Sequence, residues 1–115
     1  MYVTDWIVSD DTVVRPDVMV ICGRIEGDYP TRTPRIIFEI ISPSTAIQDE
    51  RLKFELYQSE GVGWYVLVYP ERECTRIFKF EDGHMIQEKH NERDKYPFGL
   101  EENGQFEFDF ARIWP

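Results

Sequence analysis

The chain has 115 residues, of which 42% are hydrophobic and 15% aromatic, enough for the core of a single domain spanning 1–115. Its 22 acidic and 13 basic residues give a formal charge of −9, which opposes non-specific attraction to nucleic acid unless a local basic patch or bound cation reverses the field. No segment has the apolar length of a membrane span, and the amino terminus has no basic flank or cleavage site, so we expect a cytoplasmic protein without membrane partners.

The first third of the chain is typical of β-structure. The segments "YVTDWIV" (2–8) and "TVVRPDVMVIC" (12–22) are rich in β-branched residues and are separated by the turn-forming "SDD", so they predict a hairpin. Prolines, glycines and charges without a period predict a loop over 23–34. The apolar run "RIIFEIIS" (35–42) then predicts a short buried strand.

The next segment, "SPSTAIQDERLKFELYQSEG" (42–61), predicts a helix. Ser44 or Thr45 is suited to cap its start, and Gly61 is suited to end it. One apolar stripe should pack this helix against a sheet, and it comprises Ile47, Phe54 and Tyr57, widened by Leu52 and Leu56.

The remainder of the chain returns to β-structure. The segment "GWYVLVYP" (63–70) predicts a buried strand, and residues 75–90 predict a hairpin that turns at Asp82-Gly83. Alternating phenylalanines in "FEFDFARIWP" predict a last strand packed on one face. The fold class expected from these elements is mixed α/β, with one main helix on a sheet.

Glu39 is the first candidate functional residue because it interrupts the apolar strand "IIFEII". A carboxylate removed from water must be paired, protonated or bound to a cation. Asp17 also stands at the start of an apolar strand segment, so the two acids could face each other on neighbouring strands. A hard divalent cation such as Mg²⁺ would relieve their repulsion and leave a polarised water for hydrolysis.

The predicted helix adds a cation to this pair. It begins a few residues after Glu39, and a right-handed crossover would lay it over the same end of the sheet. Lys53 could then reach the two acids and orient a water. The bland alternatives are that Asp49 and Lys53 form an exposed i, i+4 pair, and that Arg35 or Lys53 neutralises Glu39 for structural reasons.

A resemblance to a known family rests on four segments in order, namely "VRPDVMVIC", "IIFEIISPSTA", "DERLKFELYQSEGV" and "WYVLVYPE". They resemble the core of the Uma-type putative restriction endonuclease family, within the PD-(D/E)xK nuclease superfamily. The resemblance covers roughly residues 2–80, with a weaker likeness near the end. It implies a restriction-endonuclease-like mixed sheet and a metal-dependent site that hydrolyses phosphodiester bonds of DNA.

The same resemblance assigns roles to individual residues. Asp17 and Glu39 fall on the metal-binding acids, for Mg²⁺ or Mn²⁺, and Ile41 stands where many superfamily members carry lysine. Lys53 on the following helix takes the lysine's role, so the implied catalytic set is Asp17, Glu39 and Lys53. The implied supporting residues are Ser42, Asp49 and Tyr57.

The chain also begins at a strand that family members usually place after an amino-terminal helix and hairpin. With one convincing helix to cover strands that are apolar on both faces, we expect one sheet face to be bare. This predicts a homo-oligomer, a dimer or larger, that buries the bare face or edge. The alternatives to a nuclease are a catalytically inactive interaction module derived from that fold, and an unrelated acidic binding domain.

Overall fold

A five-stranded mixed sheet forms the centre of the fold, which confirms the predicted class. The computed structural model describes residues 6–9, 12–14, 16–21, 32–41, 47–100 and 104–114. Its strands are β1 (Trp6–Ser9), β2 (Thr12–Val14), β3 (Val18–Val20), β4 (Ile36–Ile40), β5 (Trp64–Tyr69), β6 (Cys74–Glu81), β7 (His84–Glu88), β8 (Lys95–Leu100) and β9 (Gly104–Asp109). The helix α1 spans Ile47–Ser59, and short 3₁₀ turns occupy Pro70–Arg72 and Phe110–Arg112.

The central sheet has the strand order β3-β4-β5-β6-β7, and two hairpins, β1-β2 and β8-β9, form separate two-stranded sheets. Strands β4 and β5 are parallel, whereas the other neighbours in the central sheet are antiparallel. A parallel pair needs a crossover connection, and α1 lies in that connection. The helix is thereby held against the strand that carries Glu39.

Two tight turns form where the sequence chemistry predicted them. Gly61 adopts a φ of +73°, and the amides of Gly61 and Val62 donate to the carbonyls of Gln58 and Tyr57, which closes the end of α1 in a Schellman motif. Asp82 and Gly83 both have positive φ, 50° and 83°, as a two-residue hairpin turn requires. Both predictions are confirmed.

The apolar stripe of α1 is narrower than predicted. Tyr57 is fully buried, and Phe54 and Leu56 pack at the edge of the core, but Leu52 is 66% exposed and contributes no packing. The predicted caps Ser44 and Thr45 lie outside the described residues. Among the helices of the described ranges, none has both the length and the apolar character needed to cross a bilayer.

The predicted strand over 12–22 is wrong as a single element. It divides at Pro16 into β2, which pairs with β1, and β3, which pairs with β4 in the central sheet. Proline has no amide hydrogen and a fixed φ, so it ends the ladder of β2. The break moves Asp17 to the start of β3.

The expectation of a bare sheet face is also corrected. The face opposite α1 is covered by the β8-β9 hairpin and the turn that follows it, and Phe98 and Phe110 there are fully buried against Ile36, Val66 and Ile77. Strand β8 was not predicted from the sequence, so the cover that it provides was not expected. Oligomerisation remains a prediction, and it would use another surface.

His90 belongs to a polar network between β6 and the segment after β7. Its side chain is 8% exposed and contacts the hydroxyl of Thr75, which donates to Glu92 at 2.8 Å. Trp114 donates from Nε1 to the carbonyl of Glu92 at 2.8 Å, so this network ties the segment after β7 to β6 and to the end of the described chain. The network stabilises the side of the central sheet that is covered by the β8-β9 hairpin, which we call the aromatic face. It does not take part in the site described below.

Candidate active site

Glu39 lies near the end of β4 with its side chain under α1. It is 4% exposed, and its two oxygens have different neighbours. The hydroxyl of Tyr57 donates to Oε1 at 3.0 Å, and the Nζ of Lys53 lies 3.6 Å from Oε2. The buried carboxylate is thus held between a neutral donor and a cation.

Lys53 and Tyr57 reach Glu39 because of their spacing on α1. Residues at i and i+4 of a helix lie on one face, and their side chains lean toward its amino-terminal end. Tyr57 is fully buried, whereas the side chain of Lys53 is 33% exposed. The ammonium group therefore contacts both the buried carboxylate and solvent.

Asp17 precedes β3, the neighbour of β4, and is exposed. The backbone amide of Ile40 donates to its Oδ2 at 2.7 Å, which fixes the carboxylate against the end of the strand that carries Glu39. The two carboxyl groups are close enough for the charge of Asp17 to raise the pKa of Glu39. The two acids predicted to face each other are therefore neighbours.

Burial raises the pKa of Glu39 from its ordinary value of 4.5 to about 7, because water no longer stabilises the charged form. Lys53 and the Tyr57 hydroxyl lower the pKa, and Asp17 raises it by like-charge repulsion and by hydrogen bonding. A carboxyl group with a pKa near neutral, coupled to a second acid and a lysine, is typical of functional sites.

The structure gives less information on the other site residues predicted from the sequence. Asp49 lies in the first turn of α1, where its side chain is not described, and Ser42 lies outside the described residues. Arg35 does not neutralise Glu39 in the way considered above, because its Nε donates to the carbonyl of Gly99 at 2.7 Å. The structural pairing of Glu39 is with Lys53 and Tyr57.

Two features of the site were missed in the sequence. The bond from the Ile40 amide to Asp17 depends on the register of β3 against β4, which no local pattern encodes. An apolar cavity of about 290 Å³ also opens beside Asp17, lined by Phe38, Ile40, Phe108, Ile113 and Trp114 among others. Its wall comes from four separate parts of the chain, so only the tertiary fold reveals it.

The carboxylates fit a hard divalent cation as a ligand pair. Mg²⁺ prefers carboxylate oxygens, commonly uses one or two of them, and keeps water in its other positions. Asp17 and Glu39 are close enough to repel each other, and a cation between them would remove that repulsion. The described residues contain no group of three or more His, Cys, Asp or Glu side chains suited to a metal, so the donor set there is this pair.

Comparison with known protein families gives a match over most of the chain. The model of the Uma2 family, described as putative restriction endonuclease, matches residues 3–108, which is most of the chain. The match extends well past the roughly 2–80 range of the resemblance seen in the sequence, and it takes in the β8-β9 hairpin. A search of curated proteins found no match.

Proposed function

The chain belongs to the Uma2 family, and from this premise we propose that it is a metal-dependent nuclease that hydrolyses phosphodiester bonds in DNA. The observation that carries the proposal is the buried Glu39, which contacts Lys53 and Tyr57 and neighbours Asp17. The open sheet with a helix beside Glu39 also removes the main support for an unrelated binding domain.

In this proposal Asp17 and Glu39 bind Mg²⁺ or Mn²⁺, which supplies a Lewis acid for the phosphate and a water of lowered pKa. The Ile40 amide holds Asp17 in position, and the Tyr57 hydroxyl fixes the rotamer of Glu39. Both carboxylates are thereby oriented before substrate binds, so less rearrangement is needed in the reaction.

Lys53 has two roles in the proposed reaction. Its ammonium group, which is partly exposed, donates a hydrogen bond to the attacking water and holds it near the phosphorus. Its charge also stabilises the negative charge that develops on the phosphate oxygens in the transition state.

The first test is cleavage of DNA by variants of the three residues. We expect Asp17→Asn and Glu39→Gln to reduce Mg²⁺- or Mn²⁺-dependent cleavage by roughly 10³-fold or more, and Lys53→Ala by roughly 10²-fold, because a metal ligand or charge-stabilising group is lost. Glu107→Gln is the matched control, since it removes an exposed carboxylate from β9. Unchanged cleavage by both acid variants would rule out the assignment.

Calorimetric titration of Mn²⁺ tests the metal site without relying on activity. The wild-type protein should bind about one ion per chain, and Glu39→Gln should abolish binding while Glu107→Gln leaves it intact. Circular dichroism establishes that each variant is folded. A folded wild-type protein that neither binds Mn²⁺ nor cleaves DNA would favour the inactive interaction module instead.

A further inference from the structure

A second cavity lies on the α1 side of the sheet and has a different character from the apolar one. Its volume is about 550 Å³, and it opens between α1 and the strands β5 and β6. Its lining residues are Arg51, Phe54, Glu55, Gln58, Tyr65, Leu67, Arg76 and Phe78. We call this cavity the arginine groove, because its two cationic side chains, Arg51 and Arg76, come from opposite walls.

The register of the sheet places the arginine groove next to the candidate active site. Glu39 pairs with Leu67 across β4 and β5, and Leu67 pairs with Arg76 across β5 and β6. The three residues therefore form one row on the α1 side. Strands lie about 4.8 Å apart, so the Cα atoms of Glu39 and Arg76 are separated by roughly 10 Å.

Both guanidinium groups are available to a ligand. Arg51 and Arg76 are exposed, and within the described ranges neither forms an ion pair with a carboxylate. The guanidinium carbon of Arg76 lies 5.0 Å from the centre of the Phe78 ring, and its NH2 group makes only a long bond of 3.4 Å to Gln87. The ring supports the guanidinium plane while most of its donors stay unused.

We propose that the arginine groove binds the sugar-phosphate backbone of the DNA strand on which the candidate active site acts. A guanidinium group binds a phosphate through two parallel hydrogen bonds, which makes arginine the preferred residue for this contact. Phosphates follow one strand at intervals of about 3.4 Å along the duplex axis, so roughly 10 Å corresponds to a few nucleotides. The groove would thus hold a phosphate a few nucleotides from the one that is cleaved.

The charge of the protein gives this groove its importance. The chain carries a formal charge of −9, so its overall field repels a polyanion. The groove has two guanidinium groups against the single carboxylate of Glu55, and Lys53 lies on the neighbouring stripe of α1. Cations are therefore concentrated where a strand would approach the site. This inference rests on the proposed nuclease function.

The test is equilibrium binding of a fluorescently labelled single-stranded oligonucleotide, measured by anisotropy with EDTA present so that no cleavage occurs. The double variant R51A/R76A is compared with R93A/K95A, which removes two exposed cations that do not line the groove and that pair with Glu73 and Glu107. Each protein is titrated at several salt concentrations between about 50 and 200 mM. Thermal unfolding establishes that all variants are folded.

We expect R51A/R76A to bind about tenfold or more weakly at the lowest salt, and the slope of log K against log salt to fall by about 1.4, or about 0.7 for each lost phosphate contact. Arg76→Lys, which keeps the charge but loses the planar fork, should weaken binding less than Arg76→Ala. The control R93A/K95A should keep the wild-type slope.

Three outcomes would overturn the groove assignment. These are wild-type binding and slope in R51A/R76A, an equal loss in R93A/K95A, and no binding by the wild-type protein. None of them decides the nuclease proposal, because cleavage that depends on Asp17 and Glu39 is measured separately. Conversely, salt-dependent binding through the groove in a protein without cleavage would retain the groove and reject the nuclease.

Discussion

The two faces of the central sheet are built from the same strands but carry opposite chemistry. On the face covered by the β8-β9 hairpin, the buried cluster is apolar and largely aromatic, and the buried hydroxyl of Thr75 beside it is neutral and donates to Glu92. On the face covered by α1, the apolar cluster borders a buried carboxylate, Glu39, and its lysine. The difference indicates that both faces contribute apolar burial, and that the α1 face also carries the cost of a buried carboxyl group.

Strand β4 contributes side chains to both faces of the sheet. Successive side chains of a strand point to opposite faces, so Phe38 joins the aromatic cluster while Glu39 lies under α1. A buried ion pair gains little, since the loss of hydration offsets much of the attraction. The aromatic face must therefore offset whatever stability the α1 face loses.

The largest expected effect on the free energy of unfolding comes from a substitution in the aromatic face. Phe98 is fully buried, and its ring centre lies 5.3 Å from that of Trp64 and 6.0 Å from that of Phe38. Phe98→Ala should reduce the free energy of unfolding in urea by about 3–5 kcal/mol, because it removes a large apolar side chain and leaves a cavity. Leu52→Ala, at a site 66% exposed, should change it by less than about 0.5 kcal/mol. Equal effects would mean that the hairpin is not part of the core.

The second-largest expected effect is a pH dependence of the free energy of unfolding, which results from the burial of Glu39 under α1. The pKa of Glu39 is about 7 in the folded protein and near 4.5 when unfolded, so the folded state binds more protons between these values. Stability from this group is therefore fully present below pH 4.5 and is lost as the pH rises toward 7. Allowing for partial screening by solvent, the loss should be on the order of 2 kcal/mol.

The variant Glu39→Gln isolates this contribution, since it retains an acceptor for Tyr57 but does not ionise. In metal-free buffer, it should approach or exceed the stability of the wild type at pH 8 and lose its advantage near pH 4.5. Denaturant titrations at each pH provide the comparison, and the other carboxylates cancel in the difference. Parallel pH profiles for the two proteins would show that burial of Glu39 has no such cost.

Much of this fold was predictable because its signals are local. Gly61 and the Asp82-Gly83 pair encode turns through the φ values they permit, and the change from strand to helix period marks α1. Strand β8 was not predicted, since it contains Pro97 and begins in a charged segment. It forms because its aromatic residues pack on the central sheet, which is a long-range effect that overrides weak local propensity.

The candidate site divides in the same way. Asp17, Glu39 and Lys53 were identified by their order along the chain, and the i, i+4 spacing of Lys53 and Tyr57 indicates that both can face one partner. Arg76 was not identified, although alternation in "TRIFKF" places it on the same face as Phe78. Arg76 lies near Glu39 because β4 pairs with β5 and β5 pairs with β6, and β4 is distant in sequence from the other two strands.

The smallest expected effect on stability comes from removing a single hydroxyl group, that of Tyr57. Tyr57→Phe keeps the buried ring but removes the donor 3.0 Å from Oε1 of Glu39, and it should destabilise the protein by about 1 kcal/mol. The loss should be larger at pH 8 than at pH 4.5, because the hydroxyl group favours the ionised carboxylate and lowers its pKa. NMR titration of the Glu39 carboxyl carbon should show a pKa above the wild-type value.

Tyr69→Phe is the matched control, since Tyr69 is half-buried on β5 with its ring beside Arg72 rather than Glu39. It should leave the pKa of Glu39 unchanged. If Tyr57→Phe also leaves that pKa unchanged, the hydroxyl group would only fill space, and burial, Lys53 and Asp17 would set the pKa of Glu39 without it. A rise in pKa together with slower cleavage would instead establish Tyr57 as the residue that positions Glu39, so the fully buried core of the α1 face would contribute directly to the proposed chemistry.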